Sequence, residues 1–145
     1  MIATCSSCGA KNRVAPRHLA ETGKCGRCKH PLAPTAAPIE ITDAAMFDAL
    51  IAETTVPVLV DFWAPWCGPC RMVAPEVARA AKDLAGRGVV VKVDTDRHPA
   101  LAQRFAITGI PAFKVFRGGT AVLERTGAVH ARELVHWMDA ARVKA

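Results

Sequence analysis

Six cysteines stand in three pairs of identical spacing: Cys5-Ser6-Ser7-Cys8, Cys25-Gly26-Arg27-Cys28 and Cys67-Gly68-Pro69-Cys70. Two sulfurs three residues apart can chelate one side of a metal ion, or they can cycle between dithiol and disulfide. The surroundings of each pair decide between these uses. The first two pairs are 16 residues apart, a C-x2-C-x16-C-x2-C pattern that fits a four-cysteine zinc site. Four thiolates around zinc form a closed tetrahedral set with no position left for water, so such a metal is structural. A segment of about 30 residues buries too little surface to fold alone, so a metal staple is physically required. Gly9 and Gly26 are expected at the tight turns of the two metal loops. Four cysteines complete the ligand set, which leaves His18 and His30 as surface histidines. Two disulfides, or two unrelated thiol pairs, are the competing reading of the same cysteines.

The third pair has no partner pair within its own part of the chain, and Pro69 stiffens it. It follows an apolar run, Val56-Pro57-Val58-Leu59-Val60-Asp61-Phe62-Trp63, of the kind buried on both faces of a sheet. A helix is expected from Gly68 to Ala85. The N-terminus of a helix carries partial positive charge and free N–H groups, which stabilise a thiolate. Cys67 is expected there as the exposed first residue, with Cys70 one turn in. Pro69 suits a first helical turn, where its missing N–H costs nothing.

The elements that must hold these pairs can be read around them. Pro31 to Pro38 has three prolines in eight residues, the composition of an extended, semi-rigid linker. It divides the chain into a metal module at residues 1–30, a linker at 31–38 and a main domain at 39–145. In the main domain, Thr42-Asp43 opens a capped helix through Phe47, Leu50 and Ile51. The strand ending at Trp63 and the helix from Gly68 follow. A second buried strand covers Val89–Val93, and a short helix covers Pro99–Phe105. Two strands at Phe113–Phe116 and Val122–Arg125 flank Gly118-Gly119 as a hairpin, and a last helix spans Ala131–Val143. A further strand fits Ile39–Ile41. This order predicts an α/β fold, a central sheet with helices on both faces.

The net charge of +6 is uneven. Lys11, Arg13, Arg17, Lys24, Arg27 and Lys29 oppose only Glu21 in residues 1–38, a net +5. Near four thiolates these cations offset the formal −2 of a zinc site, or they are simply solvated. Nucleic-acid binding is disfavoured because the module has no Phe, Trp or Tyr on which to stack bases. No run approaches the ~18 apolar residues of a membrane helix, and the start lacks signal-peptide features. A cytoplasmic location is therefore expected, where thiols stay reduced.

The segment Phe62-Trp63-Ala64-Pro65-Trp66-Cys67-Gly68-Pro69-Cys70-Arg71 resembles the active-site segment of thioredoxins. The resemblance runs from about residue 39 to the C-terminus. It includes Asp61, Pro75, Lys92, Gly109-Ile110-Pro111 and Gly127 in matching order. With the module in front, the chain is similar to the zinc-containing bacterial thioredoxin 2 class. The resemblance implies a thioredoxin fold with a mixed sheet, and a protein-disulfide reductase acting through Cys67 and Cys70. It implies Asp61 and Lys92 as supporting catalytic groups. It also implies a docking surface of Trp66, Gly109, Ile110, Pro111, Gly127 and Ala128, with Pro111 as a cis-proline and Ile110 pairing with the substrate backbone. Burial in VLVDFW raises the pKa of Asp61, so it can take the proton of Cys70; a purely structural ion pair with Lys92 is the competing role. The implied partners are disulfide-containing proteins and an NADPH-dependent thioredoxin reductase, with one structural zinc per chain at Cys5, Cys8, Cys25 and Cys28. A monomer is expected, and the module is read as structural or stress-sensing. Ala112 departs from the threonine common after the cis-proline. A chaperone or adaptor, and an oxidase or isomerase, are the alternatives; both cysteines with Gly-Pro between them favour reduction.

Overall fold

In the computed structural model, residues 1–143 are described. The main domain is built on one five-stranded sheet of order β5-β7-β6-β8-β9, formed by Ile39–Glu40 (β5), Val58–Trp63 (β6), Val89–Asp94 (β7), Ala112–Arg117 (β8) and Thr120–Thr126 (β9). β5 and β6 run parallel to β7, whereas β8 is antiparallel to β6 and β9. The sheet is therefore mixed, and β6 is paired on both edges. Its residues alternate between two buried layers. Val58, Val60 and Phe62 meet Phe47 and Leu50 of α1 (Ala44–Glu53) and Leu101 of α3 (Pro99–Arg104). Leu59 meets Val73, Val77 and Ala80 of α2 (Gly68–Asp83) and Leu134 and Met138 of α4 (Ala131–Val143). Burial on both faces explains why β6 reads as a continuous apolar run broken only by Asp61.

The helix starts are set locally. Asp43 caps α1 through its carboxylate, which accepts the Met46 N–H at 2.8 Å. Cys67 is the N-cap of α2, with Pro69 in the first turn. α2 continues through Pro75, which is exposed and lacks the N–H that would bond the Arg71 carbonyl.

The N-terminal module consists of two small hairpins. Ile2–Thr4 (β1) pairs with Lys11–Arg13 (β2), and Gly23–Lys24 (β3) pairs with Pro31–Leu32 (β4). Pro31 and Leu32, the first residues of the expected linker, thus close a strand pair of the module. Pro31 tolerates this place because a two-residue ladder at an edge leaves its missing N–H without consequence. The rest of the segment is held too: the Thr35 N–H donates to the Leu19 carbonyl at 2.9 Å. Leu19, one residue past a 3-10 turn at Pro16–His18, is 4% exposed and joins the layer containing Ile41, Phe47 and Leu50. The module is therefore docked on the main domain through an apolar side chain, and a cleft of about 440 Å³ lined by Met1, Val14, Leu32 and Met46 lies beside that anchor.

Deleting the anchor tests the docking. Leu19→Ala should lower the free energy of unfolding of the full chain by about 2–4 kcal/mol, as for other buried leucines. Urea denaturation reads this directly, and an unchanged midpoint would show that the module does not share the core.

Candidate active site and metal centre

Cys67 and Cys70 are joined as a disulfide, with their Cα atoms 5.2 Å apart. The Cys70 N–H points at Cys67 Sγ at 3.2 Å, the capping contact of α2. This N–H, together with the helix dipole, would stabilise negative charge on Cys67 in the reduced state. Cys67 is not the exposed residue expected, at 4% exposed, while Cys70, one turn in, is 3% exposed. The difference for Cys67 comes from Ala64, Trp63 and Ile110, which pack around the pair. Trp66, next to Cys67, is 68% exposed, and Met72 on α2 is 78% exposed.

The peptide bond between Ile110 and Pro111 is cis. Cys67 Sγ lies 3.8 Å from the Ile110 carbonyl oxygen, so the loop faces the disulfide. Trp66, Gly109 and Ile110 line one shallow groove of about 160 Å³, shared with Thr95, Ile107 and Thr108. The last three carry no sequence motif that would have marked them. Gly127, at φ 94°, donates its N–H to the Pro111 carbonyl at 2.9 Å, which ties the Gly127–Ala128 turn to the same loop. Pro111 itself is buried, and Ala128 is exposed one residue beyond the tie.

Asp61 lies on the β6 face covered by α2, two residues along from Leu59. It is 1% exposed, and among the described residues its Oδ1 has no hydrogen-bond partner. Burial raises its pKa to about 7; the Lys92 charge works against this and the Glu40 charge with it. Lys92 is the register neighbour of Asp61 on β7. The ion pair of the competing reading is not formed: among the described residues Asp61 enters no salt bridge, and Lys92 Nζ sits 4.5 Å from the centre of the Trp63 ring. The indole face attracts the ammonium, so Lys92 acts on Asp61 from a distance.

The four remaining cysteines are free, and their sulfurs lie within 4.8 Å of one another. Cys5 and Cys28 are 3.6 Å apart, and Cys8 and Cys25 are 3.7 Å apart. A tetrahedron with Zn–S bonds of about 2.3 Å has edges of roughly 3.8 Å, so the donor set fits zinc. The two loops repeat one backbone design. Cys5 exchanges bonds with Gly9 and Ala10, and Cys25 exchanges the equivalent bonds with Lys29 and His30. The left-handed residue is Gly9 in the first loop and Lys29 in the second, at φ 75° and 65°. The second turn is therefore made by a lysine, and Gly26 is not needed for its backbone freedom. Its N–H instead donates to Asn12 Oδ1 at 2.9 Å, while Asn12 Nδ2 reaches Cys25 Sγ at 3.5 Å. The N–H of Cys28, the Asn12 amide and the N–H of Arg27 bring Cys25 down to about 5. Cys8 goes the other way: the Ala10 N–H lowers it, but burial and the neighbouring sulfurs outweigh that and push it up to about 12. Four sulfurs this close cannot all ionise without a cation among them, which is the chemistry of a metal site. His18 pairs with Glu21 at the surface, away from the sulfurs.

The sequence profile described as Thioredoxin matches residues 37–140, and the one described as Thioredoxin 2, N-terminal matches residues 4–30. The chain belongs to the thioredoxin family. It is 41% identical over 139 residues to "Thioredoxin C-3" of Corynebacterium nephridii, covering 96% of this chain and 94% of that protein. It is 44% identical over 90 residues to "Bifunctional thioredoxin reductase/thioredoxin" of Mycobacterium leprae, covering 62% of this chain and 19% of that protein. The solved structure of a Plasmodium falciparum thioredoxin superposes with a TM-score of 0.64 at 33% identity, covering 70% of this chain and 97% of that one. The fold, the Cys67–Cys70 pair and the module place this chain as a thiol–disulfide oxidoreductase with an N-terminal zinc-ribbon module. Among the described residues, no helix is long and apolar enough to cross a membrane.

The raised pKa of Asp61 makes a stability prediction with a definite sign. The unfolded carboxyl ionises near 3.9, whereas the folded one stays protonated to about 7. Between these values the unfolded state sheds its proton first, so wild-type stability falls as pH rises and levels off above 7. Asp61→Asn removes that loss. Its stability gain should be near zero at pH 3, grow through the window and reach on the order of 4 kcal/mol at pH 8. A gain independent of pH would mean that Asp61 titrates normally.

Proposed function

We propose that Cys67 is the attacking thiolate, Cys70 the resolving thiol and Asp61 the group that accepts the Cys70 proton. The observation that carries this reading is a buried carboxyl whose Oδ1 has no hydrogen-bond partner among the described residues, poised near neutral pH, on the strand that leads into the Cys67–Cys70 helix cap. A base with a pKa near the operating pH is the most effective one. In the reduced protein, Cys67 S⁻ attacks one sulfur of a substrate disulfide. The substrate S–S bond breaks, a mixed disulfide forms and one substrate thiolate leaves. Asp61 removes the Cys70 proton, and Cys70 S⁻ attacks Cys67 Sγ. The mixed disulfide breaks, the second substrate thiolate leaves and takes up a proton, and the Cys67–Cys70 disulfide remains. Two electrons have passed from the protein dithiol to the substrate.

Lys92 tunes this step through its charge rather than by touching the reacting sulfurs. Trp66, Gly109 and Ile110 form the groove for an extended substrate segment, with the buried cis-Pro111 setting the course of its loop and the Ile110 carbonyl available to the substrate backbone; Gly127 and Ala128 border it. The module holds one zinc through Cys5, Cys8, Cys25 and Cys28, and the metal's contribution there is to fold and staple, with no open position for chemistry. The functional units are the module to Leu32, a docked connector to Pro38 and the oxidoreductase domain from Ile39. A separate NADPH-dependent thioredoxin reductase returns the disulfide to dithiol; the Mycobacterium leprae relative, named for both activities, supports that pairing. The protein works as a monomer in a reducing cytoplasm, where four free cysteines persist as metal ligands.

Single-cysteine variants separate the two thiol roles. Cys70→Ser should still attack insulin disulfides and stall as a one-to-one mixed disulfide on Cys67, with turnover at background. Cys67→Ser should form no adduct. Sustained turnover by Cys70→Ser would assign resolution to another thiol.

A further inference from the structure

The pairing of four strands sets Glu40, Lys92, Asp61 and Phe113 side by side in one row across the sheet. Glu40 ends the row on β5. Its Oε2 accepts the indole N–H of Trp63 at 3.2 Å. The Trp63 ring in turn lies against Lys92 Nζ at 4.5 Å and packs on the Cys67–Cys70 pair. Lys92 is the register neighbour of both carboxyls, Glu40 on one side and Asp61 on the other. A cation between two acids on adjacent strands can close on either. Here it stands over the ring that Glu40 holds, and among the described residues Asp61 forms no salt bridge and its Oδ1 has no hydrogen-bond partner.

We propose that Glu40 is a positioning residue for proton transfer at the active site: by fixing the Trp63 indole and holding the Lys92 ammonium over it, Glu40 keeps that cation from closing an ion pair with Asp61 and so keeps Asp61 able to accept a proton. The proposal rests on Asp61 being the acceptor for Cys70. A direct Lys92–Asp61 pair would lock Asp61 in its ionised form and weaken it as a base. The electrostatics run the same way, since the charge of Glu40 raises the Asp61 pKa and that of Lys92 lowers it.

Other charges around the row are accounted for. Toward Glu40 face Lys92 from β7 and, beyond it, Asp94 and Arg97. β8 presents the uncharged Phe113 to Asp61, and Lys114 on its opposite face is taken by Glu124 at 2.8 Å. α2 brings the Cys67–Cys70 pair to this side of the sheet. Its Arg71 and Arg79 are exposed, and its Glu76 bonds Arg79 and the Ala131 N–H.

The test uses the metal-loaded full chain. The Asp61 carboxyl is titrated by carbon-13 NMR in the oxidised protein, and single-turnover insulin reduction is followed against pH in the reduced protein. Glu40→Gln keeps an acceptor for Trp63 but loses the charge. Its Asp61 midpoint, and the limb of the rate profile that follows it, should move to lower pH while Trp63 emission stays as in wild type. Glu40→Ala should show the same shift together with altered Trp63 emission, and Glu40→Asp should bring the midpoint back toward wild type. An Asp61 midpoint unmoved in Glu40→Gln overturns the role of Glu40 alone, provided that the rate limb is absent in Asp61→Asn. A limb that survives in Asp61→Asn overturns the reading of Asp61, and the proposal with it.

Discussion

The structure turns on one unfavourable burial. Asp61 occupies the middle of the central strand, paired on both edges and covered by α2, with no hydrogen-bond partner for Oδ1. Such a group costs stability once pH exceeds its ordinary range. It stays because the surrounding apolar layers over-determine β6: Leu59 and Val60 on either side are fully buried in separate layers. The same strand then delivers the chain to the Cys67 cap, so the buried carboxyl and the sulfur pair belong to one continuous segment. Residues that break a local rule at a functional position, held by consistency elsewhere, are the expected signature of a working site.

One spacing serves two kinds of chemistry because its context differs. At Cys67 the two sulfurs bond each other, with a helix growing from the first one and a proline in its first turn. At Cys5 and Cys25 the chain instead curls back. Each loop closes through a left-handed residue four positions after its first cysteine, so that N–H groups aim at sulfur and the turns of the two hairpins bring the pairs together. The helix dipole favours a single reactive thiolate. The paired loops favour a cation between four. The docked Leu19 binds the two parts into one core.

Much of this was legible in the sequence. The apolar run before Cys67, the Thr42-Asp43 start of α1, the Gly118-Gly119 hairpin and the last helix are local signals, and each stands where expected. The meeting of four sulfurs was legible because spacing limits which of them can come together. What the sequence hid is non-local. Pro31 and Leu32 look like linker because proline composition is local, whereas their partners, Gly23 and Lys24, lie earlier in the chain. Lys29 takes the left-handed turn that glycine composition assigned to Gly26, since the repeat of the first loop's bonds overrides residue preference. Lys92 beside Asp61 suggested an ion pair, but the ammonium stands over the Trp63 ring, whose indole Glu40 holds; the ring meets Lys92 only through the β6–β7 pairing, and Glu40 joins only once β5 is placed next to β7.

The division of six cysteines into a metal clamp and a redox pair is the central claim, and one experiment on the reduced native protein addresses it directly: metal content per chain together with the number of thiols that react rapidly with a disulfide reagent. One zinc and two fast thiols, both lost when Cys67 and Cys70 are replaced, is the predicted result. No zinc with six fast thiols would contradict the account, because Cys5, Cys8, Cys25 and Cys28 would then be available for exchange rather than held as ligands.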